Sequence, residues 1–296
     1  MGVRETNMKF QKEPWKVDPR DDNFTKIAFG VPTLPTFPKT LNRVRRSVKD
    51  QGNSLSCTAM GSTLASEYQE NVPLSAEWTW KEVCKQLGTY VPNGADYRIA
   101  LKLHCKVGAL PQEKASYKLP QDNPQDVGNW ALWPDFPLEV IGNYRKAAFV
   151  KIPRVGDWFD SIKAALVNGK DKYQIVMAGT RWFSEWTTTY VPTEYANFAG
   201  YHFHSFVDFN TIDGTDYLIG QNSWGENIGE KGFQYWPRET VNKELEQRGC
   251  GAFVFVDLTP EQIALAREET SYGKLQRAII SIWELICEKF GLRKAL

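Results

Sequence analysis

Apolar residues recur at helical spacing in the first half of the chain and form short strand-like runs in the second half. The first strong pattern follows Cys57, where helix-forming residues continue to Glu70. Four apolar positions in that stretch cover one helix face: Ala59, Leu64, Ala65 and Tyr68. The pattern predicts a helix that begins at Thr58, directly after the cysteine.

Three further helices are predicted from the same spacing and from their end signals. Ser75 is a suitable N-cap for the second helix, which Gly88 ends. A third helix begins near Ala95 and stops at Gly108, and a fourth begins near Val155 and stops at residues 168–169.

After Gly169 the pattern changes to runs rich in aromatic and β-branched residues, which are typical of strands. The runs are 173–178, 203–209, 217–220, 233–236 and 252–256. Helices first and strands later predict an α+β fold in two halves. A cleft between such halves is a common place for an active site.

The pattern divides the chain into three parts. Residues 1–33 are polar and contain several prolines, so we expect an extended arm lying along the body. Residues 34–257 are expected to form one body, helical over about 45–150 and β over about 151–257. Residues 258–296 are expected to form a helical extension. The apolar face of 274–296 is wide enough to dock on this domain, on a partner subunit or on a membrane surface.

Composition and charge exclude several classes of function. The 36 basic and 35 acidic residues give a formal charge of +1, so no electrostatic case exists for nucleic-acid binding. The short basic stretch 43–46 is interpreted as a solvated surface segment. No run of about 18 apolar residues predicts a membrane span. The N-terminus lacks an apolar secretory signal, and its match to the short myristoylation pattern is common by chance. A cytoplasmic or virion-associated protein is expected.

The five cysteines are far apart and odd in number, which favours neither a disulfide framework nor a zinc site. No cofactor or metal is therefore expected. Only three histidines exist, at 104, 202 and 204, and these limit the candidates for a general base. His104 lies in a helical stretch and is interpreted as a packing or surface residue. The four cysteines other than Cys57 are interpreted as structural thiols: Cys84, Cys105, Cys250 and Cys287.

Cys57 is the candidate nucleophile because of its place in the sequence. A loop containing Gln51 and Gly52 runs directly into the predicted helix, whose first turn contains the cysteine. The free N–H groups at a helix N-terminus favour an anion and lower the pKa of a thiol. The alternative is that Cys57 is a small buried apolar residue, as most free cysteines are.

A second segment strengthens the catalytic interpretation. The sequence from Gly200 to Phe209 contains two histidines. The motif Asn222-Ser223-Trp224-Gly225 comes shortly after the strand-like run 217–220. Together with Gln51 six residues before Cys57, these elements resemble the papain-like cysteine peptidases in order and spacing. The resemblance covers about residues 34 to 256. It implies a two-lobed papain-like fold, with a helical N-terminal lobe, a β-barrel-like C-terminal lobe and the active-site cleft between them.

The resemblance also implies a role for each matching residue. Cys57 would be the nucleophile of a cysteine-type endopeptidase, Asn222 would orient the histidine, and Gln51 would stabilise the oxyanion. Trp224 would shield the contact between the asparagine and the histidine. The family's catalytic histidine precedes a small residue and an apolar strand, and that pattern favours His204 over His202, although both share one strand face.

Two departures from the family pattern concern specificity. Ser54 stands where the family has a disulfide cysteine, and Leu55 replaces a glycine that lets a substrate backbone approach. The arm is also shorter than the family's inhibitory prosegment. The expected partner is a peptide or protein substrate. Two alternatives remain: a structural or binding subunit of a larger assembly such as a virion, and a thiol acyltransferase or amidase.

Overall fold

The computed structural model describes residues 10–16, 34–88, 94–115, 136–168 and 174–256. Six α-helices lie within these ranges, numbered α1 to α6 in chain order. They are α1 (Cys57–Glu70), α2 (Ala76–Leu87), α3 (Tyr97–Lys106), α4 (Leu138–Ile141), α5 (Trp158–Asn168) and α6 (Arg238–Leu245). The four helices predicted from the apolar spacing correspond to α1, α2, α3 and α5.

Local signals explain where the predicted helices begin and end. The Ser75 hydroxyl accepts a hydrogen bond from the Trp78 N–H, and Gly88 ends α2 in the left-handed conformation at φ 66°. α3 begins two residues later than predicted because the carboxylate of Asp96 caps it at the Arg98 N–H.

All six described strands belong to one antiparallel sheet in the order β1-β6-β2-β3-β4-β5. They are β1 (Ala148–Lys151), β2 (Val176–Phe183), β3 (Phe198–Ile212), β4 (Thr215–Gln221), β5 (Phe233–Pro237) and β6 (Gly251–Val256). β1 and β5 are edges, so the sheet is open over the described residues, whereas the expected lobe was barrel-like. The mixed helical and antiparallel architecture is as expected.

The sequence pattern missed β1 and α6, because each is short and has little periodicity. β1 pairs with β6, with Ala148 opposite Val256. The lobe boundary expected at residue 150 therefore passes through a strand of the sheet. The β half of the body begins a few residues earlier than predicted.

Close packing between α1 and β3 positions the site. Gly61 in α1 faces Phe203 in β3, and a Cβ at Gly61 would lie 2.8 Å from the Phe203 ring. The absence of a side chain allows the helix to approach the strand. The start of α1 is thereby held against the start of β3, where both candidate histidines lie.

The predicted helical extension 258–296, including the docking segment 274–296, lies outside the described residues, as do residues 1–9 and 17–33 of the arm. No helix within the described ranges has the length and apolar character needed to cross a membrane.

Candidate active site

Cys57 is the first residue of α1 and is 5% exposed. The backbone N–H groups of Phe203, Thr58 and Cys57 itself lie near its sulfur and favour the thiolate. Two of these donors belong to the helix start and the third belongs to β3. The thiol therefore lies beside the residue that directly follows His202.

The charge state of Cys57 in this structure differs from the expectation. Burial raises the pKa of the thiol to about 11, and the three backbone N–H groups offset only part of that rise. A helix N-terminus alone would lower the pKa, but the sulfur has almost no contact with water here. The predicted low-pKa thiolate is not the form present in this closed arrangement.

His202 is the histidine that contacts Asn222. Burial lowers the pKa of the His202 imidazole well below its ordinary value, the neighbouring His204 lowers it further, and a hydrogen bond with the Asn222 side chain raises it. The His202 ring also stacks on Trp224, with centroids 4.0 Å apart and planes 18° apart. The two residues expected to orient and shield the catalytic histidine thus both lie against His202.

The sequence pattern favoured His204, and in the structure this histidine has different contacts. His204 Nε2 lies 3.2 Å from the hydroxyl of Thr180, and its ring stacks on Trp236 at 4.6 Å. Burial lowers the pKa of His204 to about 3. Both histidines lie on one face of β3, as expected, but His204 is one step further into the sheet and has different partners.

The two imidazoles are part of a buried stack of four aromatic rings. Trp224, His202, His204 and Trp236 follow one another with nearly parallel planes, and the two histidine centroids are 6.0 Å apart. The indole of Trp182 packs edge-on against His202 at 4.8 Å. This aromatic surrounding explains the low pKa values, because it gives an imidazolium little solvation. Trp224 was expected beside the catalytic histidine, whereas no sequence signal indicated Trp182 or Trp236.

Gln51 is held close to the Asn222 turn. The Ser223 hydroxyl donates to Gln51 Oε1 at 2.6 Å, and the Gln51 backbone N–H donates to the Ser223 carbonyl at 2.7 Å. Gly225 N–H donates to the Lys49 carbonyl, so the two loops are joined along several residues. Gln51, Cys57, Asn222 and Trp224 thus lie in one region of the fold, and His202 lies among them.

The described part of the N-terminal arm, residues 10–16, covers this place. Gln11 forms an antiparallel bridge with Tyr201, whose N–H donates to the Gln11 carbonyl at 2.7 Å. The Phe10 ring packs edge-on against Trp224 at 5.2 Å. The arm thus lies across the start of β3, immediately beside His202.

Trp15 anchors the other end of the described arm in a deep apolar pocket. It is 2% exposed and belongs to the same buried cluster as Cys57. Its ring packs edge-on against Tyr97 at 5.4 Å and Tyr201 at 5.5 Å. A Cβ at Gly179 would lie 2.6 Å from this indole, so that glycine makes room for it.

The arm bridges the helical half and the sheet. Gln11 packs so closely on Gly94 that a Cβ there would lie 2.8 Å from Gln11 Oε1. The Arg98 guanidinium donates to the Lys16 carbonyl at 2.8 Å. Gly94 is therefore covered by the chain's own arm.

Over the described residues, no group of three His, Cys, Asp or Glu side chains is placed to hold a metal ion. Backbone N–H groups lie near the Cys57 sulfur, and the same region contains the His202 imidazole and the Gln51 and Asn222 amides. These are groups suited to moving a proton and binding an oxyanion.

Comparison with known proteins agrees with this arrangement. Residues 136–252 match the family model described as papain family cysteine protease. The matched residues are less than half of the chain, and over them the chain is similar to the papain family of cysteine proteases. The match and the shared fold support a cysteine peptidase, a class of enzyme whose substrates are peptides or proteins.

Solved papain-family structures have the same fold. Xylellain, a cysteine protease from Xylella fastidiosa, superposes with a TM-score of 0.67 at 21% identity, covering 88% of this chain and 100% of xylellain. Digestive procathepsin L 3 from Tenebrio molitor gives 0.57 at 17% identity over 85% of this chain and 76% of its own. Bromelain from Ananas comosus, solved with the inhibitor E64, gives 0.50 at 14% identity over 75% and 100%. A search of curated protein sequences gave no match.

Proposed function

We propose that this chain is a cysteine-type endopeptidase that uses Cys57, His202 and Asn222 as its triad. The observation on which the proposal rests is that Cys57 and Asn222 both lie next to His202. The backbone N–H of Phe203, the residue after His202, favours the Cys57 thiolate, and the Asn222 side chain favours the protonated His202 imidazole. A nucleophile, a base and an orienting group in that order are the parts of a catalytic triad.

In the proposed reaction His202 takes the proton of the Cys57 thiol, and the sulfur attacks the carbonyl carbon of the scissile peptide bond. The oxyanion receives hydrogen bonds from the Cys57 backbone N–H and from the Gln51 side chain. His202 then donates its proton to the leaving amine, which leaves a thioester on Cys57. Water attacks the thioester, His202 takes a proton from the water, and the acid product and the thiol are released.

The arm supports endopeptidase rather than exopeptidase action. The described arm begins at Phe10, which packs against Trp224, and ends at Lys16, whose carbonyl accepts a hydrogen bond from Arg98. We propose that a substrate chain follows the same path across the body. The substrate is therefore expected to extend beyond the scissile bond in both directions.

The arm also supports control of this activity by the chain itself. It lies beside His202 at the start of β3, where a substrate would have to bind. The site that it borders is buried, and burial raises the thiol pKa and lowers the imidazole pKa. A neutral thiol beside a neutral imidazole is a poor nucleophile. We propose that the structure is the closed form and that release of residues 10–16 gives the active form.

Peptide hydrolysis by Cys57→Ala and by Cys105→Ala tests the proposed function. Cys57→Ala is expected to abolish cleavage of a denatured protein substrate, because no thiol remains to form the thioester. Cys105→Ala, a half-buried cysteine in α3, is expected to retain activity. The measurement is mass spectrometry of the products, which should show internal cleavage and new amino termini.

Two other results would contradict the proposal in different ways. Equal cleavage by Cys57→Ala would remove Cys57 as the nucleophile. Products joined to an added amine in place of water would indicate an acyltransferase, and absence of cleavage in every form of the chain, with the arm seated or released, would favour a structural or binding role.

A further inference from the structure

The Ser54 hydroxyl lies inside the turn that precedes Cys57. It donates to the Gln51 carbonyl at 2.7 Å and lies 2.6 Å from the Ser56 hydroxyl. The Ser54 backbone N–H also donates to the Gln51 carbonyl, at 3.1 Å. One residue therefore closes the turn through both its backbone and its side chain.

The same turn fixes the Gln51 side chain. Gln51 Nε2 donates to the Ser54 carbonyl at 2.8 Å, while Gln51 Oε1 accepts from the Ser223 hydroxyl at 2.6 Å. A primary amide has two N–H groups. With one bonded to Ser54, the direction of the second is determined by the plane of the amide, and this second N–H is the group available to an oxyanion.

The turn is also joined to the helix that contains the nucleophile. Ser56 is fully buried, and its carbonyl accepts the first hydrogen bond of α1 from the Met60 N–H at 3.0 Å. The contact between the Ser54 and Ser56 hydroxyls thus ties the Gln51 turn to the first turn of α1. Any movement of this contact would change the position of Gln51 relative to Cys57.

We propose that Ser54 is a positioning residue for the oxyanion site, acting through Gln51. The proposal rests on the function proposed above and adds a residue to it. At this position papain-like enzymes have a disulfide cysteine, and here two hydroxyl hydrogen bonds hold the loop instead of a covalent link. Ser54 itself does not touch the reacting atoms.

Kinetics of Ser54→Ala and Ser54→Thr test the proposal in the full-length chain. Ser54→Ala is expected to lower kcat about fivefold to tenfold and to change KM less than twofold, because the loss of two hydroxyl hydrogen bonds misplaces an oxyanion donor. Ser54→Thr keeps the hydroxyl and is expected to restore kcat. Thr211→Ala is the matched control, since it removes a hydroxyl hydrogen bond to Asp216 on a distant hairpin.

A double-mutant cycle separates positioning of Gln51 from a general effect on the fold. In a Gln51→Ala background, Ser54→Ala is expected to have no further effect on kcat, because Ser54 acts through that amide. If the fold-losses in kcat of Gln51→Ala and Ser54→Ala multiplied in the double variant, the two residues would act independently and the proposal would be overturned. So would unchanged kcat in Ser54→Ala alone.

Hydrogen exchange gives a measurement that does not depend on activity. Ser54→Ala is expected to speed exchange of the backbone amides in residues 51–56, with the rest of the body unchanged. Unchanged exchange in this segment would contradict the proposed role of the Ser54 hydroxyl in holding the turn, whether or not the chain cleaves peptides. Absence of turnover in both the wild-type and the Trp15→Ala proteins, together with faster exchange in Ser54→Ala, would instead contradict the proposed function.

Discussion

Substitution of His202 by alanine is expected to abolish peptide cleavage, whereas His204→Gln is expected to retain most of it. His202 is the imidazole bonded to Asn222 and stacked on Trp224, and His204 is bonded to Thr180 and stacked on Trp236. Loss of a general base lowers the rate by roughly 10² to 10⁴-fold. The measurement is kcat/KM for both variants, with thermal unfolding to show that each is folded.

If His204→Gln abolished cleavage and His202→Ala retained it, His204 would be the catalytic histidine. Asn222→Ala provides an internal check, since it removes only the orienting contact and is expected to cost less than His202→Ala. If Asn222→Ala had no effect at all, the contact with His202 would not be part of the mechanism.

Release of the arm is expected to increase activity. Trp15→Ala removes the most deeply buried side chain of the arm, and an indole buries about 150–250 Å². Loss of that anchor is expected to raise kcat/KM by on the order of tenfold or more, because the arm then leaves the groove for a larger fraction of the time. It is also expected to raise the rate at which Cys57 reacts with iodoacetamide near pH 6, since water reaches the thiol.

A peptide of residues 8–18 supplies the matched control. Added to the Trp15→Ala protein, the peptide is expected to inhibit cleavage, and the same peptide with Trp15→Ala is expected not to inhibit. Unchanged activity in the Trp15→Ala protein, with unchanged thermal stability, would mean that the arm does not control access to the groove.

The predicted helices match the structure because their signals are local. Ser75 and Gly88 mark the ends of α2 through hydrogen bonds and backbone conformation within a few residues of each signal. The apolar face that follows Cys57 has the period of a helix over its whole length. Propensity and periodicity were sufficient here because tertiary packing agrees with them.

The choice between the two histidines could not be made from local signals. His202 and His204 share one strand face, so period-two alternation treats them alike. Their difference comes from residues distant in sequence: Asn222 and Trp224 meet the first, and Thr180 and Trp236 meet the second. The position of Trp15 could not be predicted for the same reason, because its pocket is built from residues 80 or more positions away.

The thiol pKa shows a different limit of sequence reasoning. The helix N-terminus was correctly placed and its effect has the expected sign, since the N–H groups of Cys57 and Thr58 lower the pKa. The covering of the sulfur by distant residues has the larger effect, and it cannot be inferred from the sequence around Cys57. Desolvation by tertiary packing therefore determines the charge state of this closed form.

Covalent labelling with a peptidyl epoxide of the E64 type tests the central claim most directly. With the wild-type and the Trp15→Ala proteins near pH 6, mass spectrometry is expected to find one adduct per chain, on Cys57, formed faster in Trp15→Ala. The four other cysteines are expected to stay unmodified, and His202→Ala is expected to slow the labelling strongly. Adducts spread over all five cysteines, or no adduct on Cys57 in either protein, would contradict the assignment of Cys57 as the nucleophile.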